Sequence, residues 1–92
     1  MPQLFKIGSY IVYFWSNEGM PLEPVHVHVA SGTPTQHGTK IWITEDGRAL
    51  LSNNNSRIPR HTLTLIMRVI EANSESIVAR WDGYFSSVSY NC

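Results

Sequence analysis

The chain has a single cysteine, Cys92, among its 92 residues. One thiol closes no internal disulfide, so the fold must hold without the cross-links of small secreted domains. A thiolate zinc cluster is excluded for the same reason. Charge is scarce too: charged side chains are 15% of the sequence, seven basic and seven acidic, and the formal net charge is zero. Without a basic excess, a nucleic-acid partner stays open but has no support from net charge. No stretch approaches the roughly 20 apolar residues of a membrane span. Residues 1–7 contain no apolar run of signal-peptide length, so a reduced cytoplasm is the expected setting, with no membrane contact. Enzyme signatures are also missing: no Ser/His/Asp motif, no phosphate-cradling glycine loop, no paired carboxylates. Cys92 has no basic neighbour in sequence and reads as an inert exposed thiol.

Apolar residues, in contrast, make up 42% of the chain and aromatic ones 11%. That excludes a disordered tail. A chain of this length buries roughly two-thirds of its unfolded surface, enough for one modest core, so residues 1–92 are expected to form one domain. The pI near 6.9 keeps net charge low near neutral pH. Low net charge favours association, so a homo-oligomer or a small protein partner is expected.

Periodicity divides the chain into strands over about 6–51, helices over about 59–85 and a tail at 86–92. Residues 6–15 are rich in β-branched and aromatic side chains and predict one strand, apolar on both faces and therefore covered on both. Residues 16–24 predict a loop. Residues 25–30 alternate: Val25, Val27 and Val29 face one way, His26, His28 and Ala30 the other. After a loop at 31–38, residues 39–44 alternate again, with Lys40 and Trp42 opposite Ile41 and Ile43. Asp46-Gly47 signals a hairpin, with a short returning strand at 49–51.

The period then lengthens. Leu63, Ile66, Met67 and Ile70 fall at helical spacing, widened by Leu65 and Val69, and predict a helix over 59–72 with Pro59 in its first turn. Asn73 or Ser74 can cap a second helix carrying Ile77, Val78, Trp81 and Phe85. Residues 86–92 predict a frayed tail or a short last strand. The fold class is α+β: a three- to four-stranded antiparallel meander followed by two helices packed on one face. His26 and His28 then lie on the opposite face.

His26-x-His28 is the most specific local feature. Residues i and i+2 of a strand stand roughly 7 Å apart on one face. Two imidazoles so placed can share a divalent metal, with His37, His61, Glu18 or Glu23 as further ligands, or act as an acid–base pair. Otherwise they are strand histidines on a solvent or interface face. The catalytic candidates are therefore His26, His28 and His61; the metal candidates are His26 and His28, and no other cofactor is implied. Trp42, beside Lys40 and joined by Trp15, can stack bases, anchor a protein partner, or fill a second core or dimer seam. Arg57, Arg60, His61 and Arg68 make the start of the first helix basic, against its dipole. That cluster suits a phosphate or acidic partner, or a solvated face with Arg68 paired to Glu71. Candidate ligand- or partner-binding residues are thus His26, His28, Lys40, Trp42, Arg57 and Arg60.

The stretch Glu23-Pro24-Val25-His26-Val27-His28-Val29, then Thr39-Lys40-Ile41-Trp42-Ile43, then Ala79-Arg80-Trp81-Asp82-Gly83-Tyr84-Phe85, resembles the small bacterial family catalogued as domain of unknown function 4160. The similarity runs from about Tyr10 to Phe85 with the same order of strands and helices. The motif positions are Pro24, His26, His28, Lys40, Trp42 and Trp81. The chain departs from the commonest pattern at Val25, where many members have a second proline, and in a longer loop over residues 32–38. The resemblance implies no activity. Family members resemble components of two-gene cassettes, encoded beside another small protein in the manner of toxin–antitoxin pairs, so it implies a cytoplasmic protein with a protein partner. The leading expectation is a binding module acting through the sheet face of His26, His28 and Trp42. The alternative is a small RNA-cleaving or metal-dependent hydrolase using the two histidines, with Arg57 or Arg60 on phosphate.

Overall fold

The structure, a computed structural model, describes residues 3–15 and 22–92. Five strands form one sheet: β1 (Gln3–Ile7), β2 (Tyr10–Tyr13), β3 (His26–Ser31), β4 (Thr39–Ile43) and β5 (Ala49–Asn53). They lie in sequence order, each antiparallel to the next. Two helices follow, α1 (Arg60–Ala72) and α2 (Ser74–Phe85). The fold is α+β, as the periodicity predicts, with one strand more than expected.

The additional strand arises because the strand expected over 6–15 is a hairpin. Ile7 pairs with Tyr10, and Gly8 turns the chain at a φ of 60°. A two-residue turn with glycine in the left-handed region at its first position suits the right-handed twist of the flanking strands. Leu4 is the extra residue of an irregularity in β1, where Gln3 faces Tyr13 and Phe5 faces Val12. The expected loop at 16–24 lies outside the described residues up to position 21. The Asp46-Gly47 hairpin forms as expected: Gly47 has a φ of 83°, and the Gly47 N–H donates to the Thr44 carbonyl at 3.0 Å.

Alternation decides the layers. Val12, Val27, Val29 and Ile41 project from one face and pack with Leu63, Ile66 and Ile70 of α1 and Ile77 and Trp81 of α2. Each of these buried side chains contributes about 1.5–3 kcal/mol by leaving water. Leu65, expected to widen the stripe of α1, points outward and is 45% exposed. Pro59 occupies the cap position of α1 rather than its first turn. Its carbonyl accepts from the Leu63 N–H at 2.8 Å. Asn73 alone separates the helices, and it does not cap α2 with its side chain. Its Nδ2 turns back instead and donates to the Val69 carbonyl at 2.8 Å. The tail is neither frayed nor a strand. Ser89 accepts from the Val25 N–H at 2.8 Å, and Cys92 accepts from the Glu45 N–H at 2.9 Å.

The β5–α1 connection is held by a knot of small polar side chains. Asn54 Oδ1 accepts from the Ile58 N–H at 3.0 Å and from the Thr39 hydroxyl at 2.8 Å, while Asn54 Nδ2 donates to the Ile58 carbonyl at 2.9 Å. Ser56 Oγ accepts from the Thr39 N–H at 3.0 Å and donates to the Val29 carbonyl at 2.9 Å. Thr39 is fully buried, so its hydroxyl must find such partners. The knot fixes where α1 begins over the sheet. Asn54→Ala strips partners from both backbone groups of Ile58 and from Thr39, and should lower stability by about 2–3 kcal/mol. Urea denaturation followed by circular dichroism measures the loss; a change within 0.5 kcal/mol would show the knot to be idle.

Candidate functional site

The sheet face opposite the valines carries the histidines. Register places Tyr13 beside His28 and His28 beside Lys40, with His26 beside Trp42 in the next row. The expected side-by-side arrangement on β3 is therefore present, and the two ring centroids are 5.1 Å apart. The expected openness is not. His26 is 0% exposed and His28 4%, so neither ring lies on a free surface.

Aromatic rings account for the enclosure. Tyr13 stacks on His28 at 5.6 Å, and Trp42 meets His26 edge-on at 5.5 Å. Trp81 of α2 lies 5.2 Å from His26 and 5.1 Å from Phe14, and so joins the histidine row to the main core. Trp15, expected beside Trp42, is not among its ring partners in the described residues. Lys40 is there instead, its ammonium 4.4 Å from the centre of the Trp42 ring. The same ammonium is bound by the Glu23 carboxylate. Both members of that pair are partly exposed, so its net contribution is about 1 kcal/mol or less.

Each imidazole also fastens backbone. His26 Nδ1 donates to the Pro24 carbonyl at 2.9 Å, and His28 Nδ1 donates to the Gly38 carbonyl at 3.3 Å. A carbonyl only accepts, so the proton of each ring sits on Nδ1. Gly38 is locked further. A Cβ there would strike the Tyr13 hydroxyl and come within 3.1 Å of the Val29 carbonyl. Tyr13 itself donates to the Thr35 carbonyl and accepts from the Thr35 N–H at 3.0 Å. Together these contacts hold the 32–38 loop against the sheet.

In a neutral ring of this tautomer, Nε2 is the nitrogen able to accept a proton or coordinate a metal. Two such nitrogens fall short of the three or more protein ligands a zinc site uses. Among the described residues no group of three His, Cys, Asp or Glu comes together to hold an ion. Of the expected additional ligands, Glu23 is engaged by Lys40, His37 and His61 are exposed, and Glu18 lies outside the described residues.

The basic residues form a separate place. Arg60, His61, Thr64, Leu65 and Arg68 line one shallow groove on the outer side of α1, and neither strand histidine is part of it. Arg57 precedes it with a left-handed φ of 54°. The hydrolase expectation pairs His26 and His28 with Arg57 or Arg60, and that groove does not bring them together. The expected Arg68–Glu71 pair is also replaced. Glu71 accepts from the Ala49 N–H of β5 at 2.9 Å and lies 3.5 Å from Arg48.

The chain matches the family described as "Domain of unknown function (DUF4160)" over residues 9–82. It belongs to that family. Comparison with curated proteins and with solved structures gives no match. His26, His28, Lys40, Trp42 and Trp81, all within the matched span, converge on one ring cluster, joined by Tyr13, which the sequence pattern does not single out. Tyr13 was recognisable only as one aromatic among several in residues 10–15. No helix among the described residues is long and apolar enough to cross a membrane.

A ring cluster that holds the fold together differs from free surface histidines in what its removal does. His26→Ala should cost about 2–4 kcal/mol, through the void beside Trp81 and the unpartnered Pro24 carbonyl. His37→Ala and His61→Ala, both at exposed positions, should stay within about 0.5 kcal/mol of the parent. Parallel urea titrations of the three variants decide; equal stabilities would make the cluster incidental.

Proposed function

We propose that the chain is a non-catalytic protein-binding module of the bacterial cytoplasm, one component of a two-gene cassette of toxin–antitoxin type. The supporting observation is the fate of the reactive side chains. His26 and His28 are the groups best suited to acid–base chemistry, yet both rings are buried and their Nδ1 protons are committed to Pro24 and Gly38. A general base must come within about 3 Å of the proton it takes, directly or through one water. Rings enclosed by Tyr13, Trp42 and Trp81 serve the fold first.

What remains outside suits contact with protein. Leu50, Leu51, Leu65, Tyr84 and Tyr90 are exposed large apolar side chains on a chain of zero net charge. Of the sheet face expected to bind a partner, Lys40 and Trp42 are partly accessible and the histidines are not. Contact is therefore assigned to these accessible side chains rather than to the imidazoles. The partner is a second copy or the small protein encoded beside it.

Co-expression with the adjacent gene product, with one chain tagged, tests this. The two should co-elute, or the chain alone should self-associate, and His28→Gln should leave either contact within about twofold. A chain that elutes alone, stays monomeric and cleaves RNA with multiple turnovers lost in His28→Gln would replace the binding module with the hydrolase.

A further inference from the structure

The charged side chains of this neutral chain are sorted. Lys40 is bound by Glu23, Arg48 by Glu71 at 3.5 Å, and Arg80 by the Gln3 and Leu4 carbonyls, both at 3.2 Å. Arg57, Arg60 and Arg68 have no ion-pair partner among the described residues. Arg60, Leu65 and Arg68 share the outer face of α1, where they line its shallow basic groove. Leu65, 45% exposed, is the large apolar side chain of that face.

The acids left over gather elsewhere. Glu45, Glu75 and Asp82 line a groove of about 370 Å³ between the β4–β5 turn, α2 and the tail. Ile43, Val78, Ala79 and Val88 supply its apolar lining. The three carboxylates have no ion-pair partner among the described residues, and the groove shares no residue with the basic one. An apolar groove lined by carboxylates is complementary, in chemistry and in sign, to a basic helix face that carries an exposed leucine.

We propose that the basic outer face of α1 of one copy docks onto the α2–tail groove of a second copy. Leu65 enters the apolar groove, and Arg60 and Arg68 meet the carboxylates of Glu45, Glu75 and Asp82. The occupant is fixed by charge complementarity within the chain itself, and zero net charge removes the overall repulsion between copies. The two surfaces differ, so the contact is head-to-tail, and it closes into a ring or continues as a chain according to its rotation. Exposed ion pairs steer and orient such a contact more than they tighten it. Leu65 supplies the buried anchor. This inference rests on the binding-module reading and names its partner and surfaces.

Sedimentation velocity of the purified chain, at concentrations up to about 1 mM, detects a contact with a Kd near or below that value. The mean mass should climb above 10.4 kDa with concentration and fall back as salt shortens the Debye length. The double variants R60E/R68E and E75R/D82R should each remain monomeric. Their equimolar mixture should associate again, because each reversed surface then meets a complementary one. Leu65→Ser, at an exposed position that leaves the fold intact, should weaken association at least tenfold.

A wild-type chain that stays at 10.4 kDa throughout overturns the proposal. So does association that Leu65→Ser leaves unchanged, or two folded double variants whose mixture stays monomeric. Should any of these occur while the adjacent gene product still co-elutes, the binding module stands and only its second-copy partner falls.

Discussion

A buried imidazole where the sheet meets Trp81 of α2 is the constraint on which the rest of this molecule depends. His26 is a polar ring with no solvent access, and burying such a group unpartnered costs several kcal/mol. The Pro24 carbonyl takes its Nδ1 proton, and that bond fixes the chain just before β3. From there the consequences run outward. Val25 is set to donate to Ser89 and to accept from the Ile43 N–H at 3.2 Å, so the tail and β4 are both referenced to it. Trp81, 5.2 Å from the same ring, donates its indole N–H to the Ser87 carbonyl at 3.1 Å and so starts the tail on its path. One ring thereby sets the relation of sheet, second helix and C-terminal segment.

The two edges of the sheet carry the opposite problem, unpaired backbone groups facing outward. Such edges recruit other chains unless something covers them. Each helix supplies one cover. Glu71 of α1 accepts the Ala49 N–H on the β5 edge. Arg80 of α2 donates to the Gln3 and Leu4 carbonyls on the β1 edge, where the strand is irregular. The sign of each side chain matches the group it covers, a carboxylate for the N–H and a guanidinium for the carbonyls. Helix packing and edge protection are thus coupled: the same burial of Ile70 and Trp81 that seats the helices also delivers these two charges.

Legibility in sequence tracked how local each feature is. Alternation over residues 25–30 was enough to place His26 and His28 on one side, because pleating has a strict period of two. It said nothing of what would lie over them, since Trp81 arrives from 55 residues later in the chain. The hairpin at Gly8-Ser9 was hidden because apolar residues on both faces read as one covered strand, whereas the chain reaches that composition with two shorter ones. Helical spacing allows Glu71 to pair with Arg68, its neighbour on α1, but a bond to a sheet edge outweighs an exposed pair worth a few tenths of a kcal/mol. The Thr39–Asn54–Ser56 knot offered only a run of asparagines as its signal. The basic face of α1 was visible from spacing alone; the acidic groove was not, because its lining comes from three separate segments.

These observations change what the family motif can be asked to reveal. His26, His28, Trp42 and Trp81 all lie within the span matched to DUF4160, and each of them packs within the ring cluster. Residues so placed act on the fold: in this chain they seat β3, the second helix and the tail. Arg60, Leu65 and Arg68 lie elsewhere, in a groove on α1 that takes no lining residue from the ring cluster. Asp82 follows Trp81 in sequence, so one position of α2 is buried in the ring cluster while the next lines the acidic groove. At successive positions α2 thus passes its structural ring inward and its carboxylate outward, so repacking Trp81 would move the wall of the acidic groove without touching its lining.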